Sequence, residues 1–123
     1  MKNQAYRMAM LFDFYGDLLT ERQREFYDLY YNEDLSLAEI AENYGISRQG
    51  VRDVIVRAEA AMTEIEDKTH IIRRFQQSRQ AIAAISQAAD KLLQSIDRRS
   101  YNDAMLDEIA RTIKENAAKL EQE

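Results

Sequence analysis

Apolar side chains return at steps of three and four residues along nearly the whole chain, the spacing that gives a helix one water-shunning face. Residues 4–15 place Ala5, Met8, Leu11, Phe12 and Tyr15 on such a face, and Gly16 closes this first predicted helix. Thr20 and Gln23, three positions apart, form a capping box in which each side chain satisfies a free backbone N–H. The helix it opens reaches about Tyr31, with Phe26, Leu29 and Tyr30 on its buried side. Asn32-Glu33-Asp34 is polar and turn-prone. Ser36 and Glu39 then repeat the capping box, and Leu37, Ile40, Ala41 and Tyr44 line one side of a short helix. After Gly45, Ser47 is placed to cap a further helix by accepting from the N–H of Gln49 or Gly50, with Ile46, Val51 and Val54 facing the core.

Two short helices around a glycine turn are the pattern of a helix-turn-helix, and an ordinary helical hairpin is the plainer alternative. Gly45 suits the turn because a left-handed backbone costs it little. Ala41 suits the close crossing, where a bulkier side chain would wedge the helices apart. Beyond the motif, Val51, Val54, Ala58, Met62 and Ile65 continue one stripe to Glu66, where charge replaces it. A bend around Lys68–His70 or one uninterrupted helix both fit that pattern. Phe75, Ser78, Ile82, Ile85, Ala89, Leu92 and Ile96 then form a heptad seam, and Leu106, Ile109, Ile113, Asn116 and Leu120 resume the rhythm in a last helix capped near Ser100 or Asn102. Neither tail helix is stable alone in water. They pack on each other as an antiparallel hairpin, on the long preceding helix, or on a second copy of the chain, and hairpin and dimer are compatible. The expected fold is all-α: a helix-turn-helix domain over residues 1–69, then long amphipathic helices over 70–123 forming a helical hairpin or dimerisation tail.

Composition agrees with an all-helical chain: the 123 residues include no proline and three glycines, all in the first half. With no cysteine there is neither disulfide nor thiolate chemistry, which fits a reducing, cytoplasmic setting. No run approaches the length and apolarity of a membrane span. Charge cuts against a simple DNA-binding reading, because the net −5 is acidic. Residues 1–69 hold eight cations against fourteen acids, whereas residues 70–123 hold nine against eight, so the half with the motif is the acidic one.

On a helix turning about 100° per residue, an inward Val51, Val54 and Ala58 leaves Gln49, Arg52, Asp53 and Val56 outward, flanked by Arg48 and Arg57. Arg bridges guanine O6 and N7, and Gln pairs with adenine N6 and N7, so this arc can read bases. Val56 beside them suits a protein contact better than a groove. Solvated charge, or pairs such as Asp53 with Arg57, is the plainer account of the same residues. Catalysis has little to work with. His70 is the one histidine, and no phosphate loop, helical zinc motif or nucleophile with a base is present, so no cofactor, metal or small-molecule substrate is expected.

The stretch from Leu19 to Lys68, LTERQREFYDLYYNEDLSLAEIAENYGISRQGVRDVIVRAEAAMTEIEDK, resembles the promoter-reading fourth region of bacterial sigma factors. More closely, MAMLFDFYGDLLTERQ, YYNEDLSLAEIAENYGISRQGVRD and the helical tail make the whole chain similar to the YlxM family of Gram-positive bacteria. The match is tight over residues 6–68 and loose beyond. That resemblance implies a regulatory accessory protein of the signal recognition particle pathway, binding the particle's RNA, its GTPase or both. The sigma pattern implies promoter contacts by Arg48, Gln49 and Arg52, although Gln49 stands for the usual glutamate and Asp53 for a frequent glutamine. Two readings follow. One is the accessory factor, with Ser47, Arg48, Gln49, Arg52 and Arg57 as nucleic-acid surface and Val56, Arg73, Arg74 and Arg79 as partner surface. The other is a DNA-binding transcriptional regulator of sigma region 4-like type, dimerising through the tail and reading half-sites with the motif.

Overall fold

The computed structural model describes residues 5–122, and the predicted start of the first helix at residue 4 lies outside them. Among the described residues there are six α-helices and no strand: α1 (Ala5–Tyr15), α2 (Glu21–Tyr31), α3 (Leu37–Tyr44), α4 (Arg48–Thr69), α5 (Ile71–Asp97) and α6 (Asp103–Glu121), with a 3-10 turn at Gly16–Leu18. The chain divides into two compact units, Met1–Ile72 and Arg73–Glu123, so the first residues of α5 belong with the first unit.

Local signals start the helices of the first unit. Thr20 and Gln23 form the capping box of α2, and Ser36 and Glu39 that of α3, each pair bonding reciprocally at 3.0–3.2 Å. Helix α4 then runs through the middle and packs against α1, α2 and α3. Its inner face buries Val51, Ile55, Ala58 and Met62 among Leu11, Phe26, Tyr27 and Ile40, and each large side chain there contributes about 1.5–3 kcal/mol by leaving water.

Two expectations shift, one by a single residue and one by two. Ile55 takes the fully buried place expected for Val54, which is half-buried, and Tyr27 takes that of Leu29. Val54-Ile55-Val56 is an unbroken apolar run, so spacing alone leaves its phase open; packing on three sides selects Ile55. Tyr27 can be buried because its hydroxyl donates to the Met8 carbonyl at 2.6 Å and its ring stacks on Phe12 at 5.0 Å, so no polar atom is stranded.

Tyrosine hydroxyls fasten the helices to one another. Tyr31 donates to Glu59, Tyr15 to Glu66 and Tyr44 to Glu25, joining α2 to α4, α1 to α4 and α3 to α2. A hydrogen bond to a charged group is worth about 1.5–3 kcal/mol net, above the neutral case. Burial, followed by the Glu59 hydrogen bond, pushes the Tyr31 hydroxyl well above its ordinary value; burial, followed by the charge of Glu59, does the same to Tyr27.

Of the two alternatives around Lys68–His70, the break is the one present. His70 adopts a left-handed conformation (φ 55°, ψ 26°) that ends α4, and its N–H donates to the Glu66 carbonyl at 2.8 Å. The Glu66 carboxylate accepts from Tyr15 and also from the Ile72 N–H at 2.9 Å, tying the start of α5 to the first unit.

In the second unit, Asn102 caps α6 by accepting from the Met105 N–H at 2.9 Å. Helices α5 and α6 form a hairpin in which Ser95 meets Met105 near the turn, while Ala81 shares a cleft with Leu120 at the open end. The predicted seam needs correction. Beyond Ile72, which belongs with the first unit, the buried positions on α5 are Ala81, Ala88 and Ser95, with Ser78, Ile85, Ala89 and Leu92 half-buried, while Phe75, Ile82 and Ile96 are exposed. The arc that α6 covers keeps Ser78, Ile85 and Leu92 at its edge and is turned by about 50° from the heptad, so that Phe75, Ile82 and Ile96 fall outside it.

Candidate nucleic-acid interface

The turn before α4 is fixed by backbone chemistry. Gly45 sits at φ 68° and ψ 31°, the left-handed region, and the Ile46 N–H closes back on the Ala41 carbonyl at 3.1 Å. Ser47 is extended and its hydroxyl accepts from the Gly50 N–H at 2.9 Å, so Gly50 is the partner among the two that the sequence allows. A Cβ on Gly50 would stand 3.2 Å from that same hydroxyl, so glycine lets the cap close tightly.

The phase of α4 sets what faces outward. With Val51, Ile55 and Ala58 inside, Arg48, Gln49, Arg52, Asp53 and Arg57 are all exposed. Val56, expected to be an outward apolar contact, is half-buried, so its side chain is not the freely exposed apolar contact that the spacing suggested. The arc holds three arginines and one carboxylate, and Gln49 donates its amide to that carboxylate, Asp53, at 2.9 Å. Sequence spacing did not single out this bond, although Gln and Asp four residues apart on a helix are known to pair.

This arc is cationic within an acidic unit, and the tyrosines explain part of the contrast. Glu59 and Glu66, two of the acids on α4, are turned toward Tyr31 and Tyr15, and Glu64 pairs with Lys68 at 2.9 Å. That leaves Asp53 as the one carboxylate of α4 in the turns where the arginines stand. Screening over about 8–10 Å limits how far the remaining acidic charge reaches across the surface.

Arg73, Arg74 and Arg79 are exposed on α5, but they do not form one patch. Arg73 and Arg74 are consecutive and so about 100° apart, and Arg79 leans over the Phe75 ring at 5.8 Å on a third side. Among the described residues no group of three or more His, Asp or Glu side chains could hold a metal ion, and no helix is long and apolar enough to cross a membrane.

The chain is similar to known proteins over most of its length. Residues 2–102 match the family described as "helix-turn-helix protein, YlxM / p13 like". A UPF0122 protein of Halalkalibacterium halodurans is 42% identical, over 79% of this chain and 97% of the relative. A UPF0122 protein of Bacillus thuringiensis is 47% identical over 71% of this chain and 79% of its own, and one of Desulforamulus reducens is 44% identical over 69% and 73%.

Proposed function

Since the chain belongs to the YlxM / p13-like helix-turn-helix family, we propose that it is a regulatory protein acting through the outer face of α4, which docks on the RNA of the signal recognition particle. The observation that carries this is the arginine arc: Arg48, Arg52 and Arg57 are exposed on a helix whose inner side is held by Val51, Ile55 and Ala58. Each arginine can neutralise a phosphate or stack on an unpaired base, and Gln49 offers an amide to a base edge. RNA is favoured over a promoter duplex by the resemblance of the whole chain, while Asp53 in the reading arc opposes the phosphates of either nucleic acid. The resemblance of the whole chain adds the particle's GTPase as a second partner, reached by the exposed tail arginines Arg73, Arg74 and Arg79.

A DNA-binding regulator is the second reading, favoured by the presence of Arg52 and Gln49 on one accessible arc, the two side chains best suited to guanine and adenine. Gel shifts with particle RNA and with a library of duplexes at physiological salt separate the two. The first reading expects retention of the RNA, co-purification with the particle and a change in its GTP turnover; sequence-selective retention of a duplex with none of these supports the second.

A further inference from the structure

The second unit leaves its largest apolar residues outside its own packing. Helix α6 covers Ala81, Ala88 and Ser95, and Ile109 is the single large side chain that the hairpin fully buries. An open cleft of about 530 Å³ remains between the helices beside Ala81 and Leu120. Meanwhile Ile82, Leu93 and Ile96 are 55%, 64% and 53% exposed. Their spacing, with Ala89 between, puts them on one edge of α5 over four turns. A hairpin of this size with so small a core is marginal by itself.

We propose that this edge is where a second copy of the chain docks, with the two α5 helices side by side and antiparallel, so that two hairpins complete a four-helix bundle. Charge selects the copy and its direction. Exposed Arg79, Asp90 and Asp97 lie along the flank of the edge, with the cation toward the N-terminal end and the acids toward the C-terminal end. In an antiparallel pair centred near Ala89 this flank meets itself reversed, placing Arg79 of each copy opposite Asp97 of the other, two opposite-charge pairs that outnumber the one like-charge contact of the Asp90 side chains beside the axis. Ile82 then faces Ile96 across the two-fold axis, which makes the surface self-complementary.

Sedimentation equilibrium of the full chain is the test, and the proposal expects twice the 14.4 kDa chain mass. Ile82→Glu with Leu93→Glu should return one-copy mass. Both side chains are exposed, so far-UV circular dichroism should keep the first unit's helices, and a second variant, Leu93→Gln, covers the case in which the charged pair fails to fold. Arg79→Glu should weaken association several-fold, and adding Asp97→Arg should restore it. One-copy mass at the highest soluble concentration overturns the proposal, as does a two-copy mass unmoved by the edge variants. Failure of the charge exchange to restore association overturns the antiparallel arrangement. RNA retention by α4 is read separately, so the two proposals fail independently.

Discussion

Gln49 donates its side-chain amide to Asp53 one helical turn on, at 2.9 Å, in the middle of the arginine arc. The bond holds the Gln49 amide in one orientation while leaving its carbonyl oxygen and second N–H available. Asp53→Ala should therefore have two opposed effects. Removing a carboxylate beside phosphates tightens nucleic-acid binding overall, about two- to five-fold at low salt. Freeing Gln49 lowers discrimination between sequences. Titrations against a matched and a scrambled RNA measure both; equal loss of affinity for the two would contradict this role.

Gly45 carries the turn by backbone conformation alone, since a Cβ there would meet nothing within 4 Å. Gly45→Val should cost about 1–2 kcal/mol from the left-handed strain, and Gly45→Asn clearly less. Thermal melts should show a drop of several degrees for valine. Equal melting of the two variants would mean that the strain is released elsewhere.

His70 holds a left-handed backbone without being glycine, at φ 55°. His70→Gly should be neutral or stabilising by up to about 1 kcal/mol, and His70→Val destabilising by a similar amount or more. Urea unfolding measures both. The reverse order would mean that the imidazole itself supports the break.

Tyr27 and Tyr31 titrate above their ordinary value of 10.0 in the folded chain, through burial first and Glu59 second. The unfolded chain loses these protons near pH 10 while the folded chain keeps them, so their stabilisation is complete below pH 10 and falls as pH rises beyond it. Tyr31→Phe should flatten that alkaline slope while lowering stability at pH 7, because Glu59 loses its donor. Urea midpoints at pH 7, 9 and 11 give the comparison; an unchanged slope would remove Tyr31 as a source.

What could be read from the sequence was what local chemistry decides. Thr20, Ser36 and Ser47 cap where their neighbours three positions on require it, and Gly45 turns because only a residue without a side chain does so cheaply. The arginine arc followed, because Arg52 faces away for any phase of α4 that puts Val51 and Ala58 inside, with Arg48 and Arg57 on its flanks. Choices made by distant partners could not be read. Whether Val54 or Ile55 is buried depends on three packed helices, and the bond from Tyr15 to Glu66 spans 51 residues. The seam on α5 was legible as a pattern, but which part of it α6 covers is set by the hairpin's rotation, which no heptad specifies.

The account turns on the outer face of α4 as a nucleic-acid surface. Fluorescence titration of labelled particle RNA with the wild-type chain and with Arg48→Ala/Arg52→Ala tests it most directly. Loss of two phosphate contacts predicts affinity lower by at least about ten-fold and a shallower salt dependence, with helicity unchanged. Equal affinity and equal salt slope for the two proteins would contradict it.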